Sequence, residues 1–180
     1  MSKKTSQQIK YLTVSAMLCA LGIIVLGIGS VVEVLDITVA AIASLLIIYA
    51  VIEIGGPYPW LIWIVTSILA LVLPLPIKTS LLFYIFLTGY YPIIKQKIEK
   101  HIKSRVPAWA LKMGVFSISL GVMYAVMRLF FPDLLETASG NIMIAATVAL
   151  AVLAFVLYDI CLTRLITFYF VKLQKRFKIK

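Results

Sequence analysis

Two cations, Lys78 and Arg128, are the side chains of this 180-residue sequence whose type and position most invite a ligand. Lys78 stands beside Thr79 and Ser80 at the start of one apolar stretch, and Arg128 follows Tyr124 by one helical turn near the end of another. Brought together, two such cations would hold a carboxylate or phosphate through charge-assisted hydrogen bonds. Tyr84 in the stretch after Lys78, Tyr124, and Asn141 at the head of the last stretch are the polar groups able to complete such a site. The competing reading pairs the two cations with Glu33, Asp36, Asp133 or Glu136 and makes them loop closures. Catalytic chemistry has less to stand on. The sequence carries no GxxxxGK[ST] phosphate loop, no HExxH, no nucleophile elbow and no acidic cluster suited to magnesium. Cys19 and Cys161 lack metal-ligand spacing, and His101 lies in a charged segment. The expectation is therefore a protein that is not an enzyme, with no cofactor and no metal.

The elements that must position these residues are set by composition. The chain is 63% hydrophobic and only 13% charged, with a mean hydropathy of +1.08, where soluble domains run near ~50% apolar and ~25% charged. Six apolar stretches cover residues 11–32, 37–54, 58–73, 79–94, 108–131 and 141–159. A bilayer core takes about 20 helical residues to cross, so the third and fourth are short and imply tilt. The runs are continuous rather than alternating, which excludes barrel strands, and backbone polar groups facing lipid must be satisfied within a helix. The fold expected is all-α: one polytopic domain of six transmembrane helices, followed by a basic tail over 160–180. Gly55-Gly56-Pro57, Pro74 and Pro76, Pro107, and the stretch 132–140 mark the joints. The first stretch is longer than the apolar core of a signal peptide and is read as retained.

Charge gives orientation. With six spans both termini share a side, and that side collects 15 of the 17 basic residues, leaving Lys78 and Arg128 opposite. The positive-inside rule then puts both termini in the cytoplasm of a cell bounded by this plasma membrane. The net charge of +10 belongs to segments that meet anionic lipid, at about 1 kcal/mol per basic residue near the surface. It offers no folded module for nucleic acid. The stretch 95–105 is expected to be a loop with a helical start, and 168–180 an interfacial helix.

Three ionisable residues lie inside or beside spans, where a charge at mid-membrane costs about 3 kcal/mol on insertion scales. Glu53 ends the second span, one turn after Tyr49. Asp159 falls about 27 Å along the sixth helix from Asn141, at 1.5 Å per residue, with Arg164 five residues further. They serve as interface residues that lock the bundle, as coupling groups that dock a partner, or in a proton relay.

Small residues mark where helices can approach closely. Ala16 and Ala20 sit one turn apart on the first helix, within Ala16-Met17-Leu18-Cys19-Ala20, and small-xxx-small spacing lets backbones pack tightly in lipid. With six spans in about 180 residues and a short basic N-terminus, this AxxxA segment resembles the substrate-binding (S) components of energy-coupling factor transporters of bacteria. That resemblance covers the whole layout but only one local motif. It implies a vitamin- or metal-specific binder whose Ala16/Ala20 face docks onto a transmembrane coupling subunit driven by two separate ATPases. The stretch Thr88-Gly89-Tyr90-Tyr91-Pro92 is also similar to small membrane proteins of Gram-positive bacteria. The alternative is a membrane scaffold or regulatory protein that uses the same faces to bind another protein, without transport.

Overall fold

The computed structural model describes residues 3–31, 35–73, 79–102, 104–130, 141–169 and 171, and among these every regular element is helical. Seven α-helices follow in order: α1 (Lys3–Gly29), α2 (Asp36–Glu53), α3 (Tyr58–Val72), α4 (Thr79–Phe83), α5 (Tyr91–His101), α6 (Arg105–Phe130) and α7 (Asn141–Phe168). A π-helical turn, Tyr84–Thr88, continues α4. Among the described residues four helices are long and apolar enough to cross a membrane: Thr5–Gly29, Asp36–Glu53, Val106–Phe130 and Ala146–Phe168. Helix α3 is apolar throughout but has only 15 residues. These are the helices of a membrane protein.

The glycine-proline joint behaves as the sequence dictates. Gly55 and Gly56 take φ of +66° and +61°, the left-handed region open to glycine. Pro57 then caps α3, with Pro59 in its first turn. The expected fourth span is instead broken. Pro92 has no N–H to bond the carbonyl four residues back and crowds the preceding turn, so the helix stops at Thr88 and restarts at Tyr91. The break is absorbed by the π turn, in which the Gly89 N–H bonds the Tyr84 carbonyl at 2.8 Å, a one-residue widening. After the break, α5 remains helical as far as His101, further into 95–105 than a loop with a helical start implies.

The chain falls into two compact units, one ending at Lys112 and one beginning at Met113. In the first, α1 packs against both α2 and α3, and α2 also meets α4, the π turn and α5. The core joins Leu18, Cys19 and Leu26 of α1 to Ala40, Ala43 and Ile47 of α2, Ile62 and Ala70 of α3, and Leu81 and Tyr84 beyond. Alanines at these contacts let the helix backbones approach, which drives association where lipid removes the hydrophobic incentive. Gly29 makes a close contact of this kind: a Cβ there would lie 2.7 Å from Val39 Cγ1. In the second unit, Phe116 of α6 stacks on Phe155 of α7 with centroids 4.2 Å apart, and Met123 and Leu162 are buried.

Candidate functional site

Helix α1 has two faces. Ser15, Leu18, Cys19, Gly22 and Leu26 are turned inward, whereas Ala16, Met17, Ala20 and Leu21 are exposed. The Ala16/Ala20 pair thus lies on an outer face, with nothing larger than a methyl group between Leu12 and Ile24 along that line. Met17 and Leu21 flank it.

Behind that face a few polar side chains interrupt the apolar interior of the first unit. Thr66 of α3 is 1% exposed, and the Cys19 thiol and Tyr84 phenol are its polar neighbours. No contact of hydrogen-bonding geometry ends on the buried hydroxyls of Ser67 and Ser80 or on the Trp63 indole N–H. The Cys19 thiol points toward the Ile62 carbonyl at 3.8 Å. Gly22 leaves room for Thr66, since a Cβ on it would sit 3.1 Å from Thr66 Cγ2. Thr88 is anchored: its hydroxyl donates to the Ala40 carbonyl of α2 at 3.0 Å, pinning the end of the π turn.

A charged cluster lies where α5 passes into α6. The Lys112 ammonium donates to Glu99 Oε1 at 2.7 Å, and the Lys95 ammonium lies 3.8 Å from the same oxygen. Both lysines are buried while Glu99 is 45% exposed. Nearby, the aromatic rings of Trp60, Trp63 and Tyr90 meet edge to face at 5.7 Å, and the Lys97 ammonium stands over Trp60. The cation–π contact holds α5 to α3.

The residues singled out for a ligand divide between the units. Thr79 is half-buried at the start of α4, and Tyr84 is buried one turn on. In the second unit Tyr124 and Arg128 lie one turn apart on α6, both exposed, and Asn141 opens α7. Lys78, Glu33, Asp133 and Glu136 lie outside the described residues. Of the polar residues near the spans, Glu53 closes α2 and is half-buried, Asp159 is buried in α7, and Arg164 is exposed. The Thr163 hydroxyl donates to the Asp159 carbonyl at 2.8 Å. Among the described residues no group of three His, Cys, Asp or Glu side chains converges.

Sequence reasoning missed Thr66, Ser67 and the Glu99 cluster. Thr66-Ser67 was visible as the polar interruption of an otherwise apolar third span. Lys112 was visible as a cation four residues inside the fifth. Counting lysines by side treats them all as solvated, and the burial of Lys95 and Lys112 is a tertiary fact. No protein-family model, curated protein or solved structure matches the chain.

Proposed function

We propose that this chain is a membrane-embedded solute-binding subunit of an ATP-driven importer of the energy-coupling-factor type. It crosses the plasma membrane six times, with α3 and the broken α4–α5 segment as the third and fourth crossings and both termini in the cytoplasm. The side distribution of 15 of its 17 basic residues supports that orientation. The solute is a small anionic metabolite or vitamin taken from the outer side, where Lys78 and Arg128 are the two basic residues.

The observation that carries this reading is the exposure of Ala16 and Ala20 on α1. The same helix buries its other face in a packed unit, so the small residues are not consumed by internal packing. In lipid, such a face is where a second helix approaches. The docked partner is a transmembrane coupling subunit that carries two ATPases, since this chain has no nucleotide-binding loop of its own.

The test is mild-detergent purification of the tagged chain from its native host, followed by mass spectrometry. Recovery of a polytopic subunit with two ATPases is expected. Recovery of a membrane partner with no ATPase would replace the importer by the scaffold reading.

A further inference from the structure

The lysines of α5 and the head of α6 divide by what neutralises them. Lys95 and Lys112 are buried and converge on the Glu99 carboxylate, at 3.8 and 2.7 Å. Lys97 and Lys100 are exposed, and among the described residues no carboxylate lies within ion-pair distance of either. Glu99 is the single acid of α5, but residues one or two apart on a helix do not face each other. Lys97 and Lys100, three apart, share a side. Lys97 takes an aromatic face in place of a carboxylate. Its ammonium stands 5.3 Å from the centroid of the Trp60 ring, a contact that positions a cation without cancelling its charge. The ring engages one side of the ammonium, and the group has three N–H donors to offer.

What continues from Trp60 along α3 is apolar. Ile64 and Ile68 follow it at intervals of four residues, so the three lie along one side of the helix. Ile64 is 41% and Ile68 57% exposed, while Ile62, Thr66 and Ala70 turn the other side of α3 into the unit. From Trp60 to Ile68 the stripe runs about 12 Å, at 1.5 Å per residue. Two uncancelled cations therefore stand at one end of an exposed apolar stripe, with an aromatic ring at the junction. That arrangement is complementary to a molecule with an anionic head and a hydrocarbon tail. Around the helices of a membrane protein, that molecule is phospholipid.

We propose that Lys97, Lys100 and Trp60 hold the phosphate of one anionic phospholipid, whose acyl chain lies along Ile64 and Ile68. The two ammoniums donate charge-assisted hydrogen bonds to the phosphodiester oxygens. The Trp60 ring occupies the boundary between head and chain, as an amphipathic ring does in a membrane. Free phosphate would use the lysines but leave the α3 stripe without a role, so the occupant is the lipid. The site is narrower than the attraction of a basic chain for an anionic surface, since it takes a single headgroup at named side chains. It lies within the first unit and does not depend on the importer reading.

The test is native mass spectrometry of the full chain in detergent, titrated with dioleoylphosphatidylglycerol or with dioleoylphosphatidylcholine, whose head has no net charge. One phosphatidylglycerol is expected to bind about tenfold more tightly than phosphatidylcholine. Lys97→Gln is expected to weaken phosphatidylglycerol binding about fivefold, the share of one lysine near an anionic head. Lys97→Arg keeps a cation over the ring and is expected to retain the binding. Lys180→Gln makes the same change of charge at the other end of the chain and is expected to alter it by less than about twofold. Both lysines of the site are exposed, so the Tm of the variants is expected to stay that of the parent. A large excess of inorganic phosphate is expected to leave the lipid in place. Equal binding of the two lipids overturns the site, and so does equal weakening by Lys97→Gln and Lys180→Gln, which would make the attraction a diffuse one. Displacement by inorganic phosphate overturns its assignment to a lipid.

Discussion

Gly89 and Glu99 show how much of this molecule rests on single side chains. A methyl group on Gly89 would meet Trp63 Cδ1 and the Tyr84 carbonyl oxygen, each at 2.6 Å. The carbonyl is backbone and already accepts the Gly89 N–H, so it cannot move aside without breaking the π turn. Gly89→Ala is therefore expected to destabilise the protein by about 1–3 kcal/mol, as other overpacked sites do, measured as a fall in Tm in detergent. An unchanged Tm would mean that the π turn tolerates an extra carbon. Glu99→Gln acts through charge instead. It leaves two buried ammoniums without the carboxylate they share, which costs several kcal/mol for a fully buried set. Because Glu99 is nearly half exposed, water screens part of the loss, and about 1–2 kcal/mol is expected, again read from Tm. Sequence could not supply either result. It identified Gly89 and Glu99 as residues, but the Trp63 ring and the Lys112 ammonium reach them only through tertiary packing.

Among the elements, α1 carries the sharpest contrast. Ala16→Trp adds bulk to an exposed position and is expected to leave Tm unchanged while abolishing co-purification of the docked partner. Cys19→Trp, three residues on and buried, is expected to unfold the unit. Equal loss of Tm in both would place Ala16 in the core and remove the docking face. The helices themselves were largely legible beforehand, because continuous apolar runs and Gly-Pro joints determine where helices form in lipid. The α2 and α3 boundaries agree within about two residues with those read from sequence, the usual scatter at helix ends. The fourth span was not legible. Its hydropathy runs unbroken from Thr79 to Ile94, and only the missing N–H of Pro92 and the packing of Trp63 on Gly89 divide it.

At the scale of the whole molecule, the proposed six crossings would put position 78 outside and both termini inside. Single cysteines, introduced after replacement of Cys19 and Cys161, test this in intact cells. A cysteine replacing Lys78 is expected to react with an impermeant maleimide, and one replacing Ser2 or Lys180 to react only after permeabilisation. Labelling of a terminus in intact cells would break the even span count. Charge asymmetry supports an orientation already at the level of the sequence, because translocation itself responds to Lys and Arg in short loops. The candidate site was less readable. Charge bias drew attention to Lys78 and Arg128, whereas the neutral hydroxyls of Thr66, Ser67 and Ser80 carry no such signature, and only their burial in the first unit sets them apart.

The most direct test of the importer proposal is photo-cross-linking from position 16 in the native membrane, with benzoylphenylalanine replacing Ala16 and, as a control, Leu26 on the buried face of α1. The expected result is an adduct from position 16 alone, joined to a polytopic subunit that also binds two ATPases. Adducts only to lipid, or to a protein that recruits no ATPase, would contradict it.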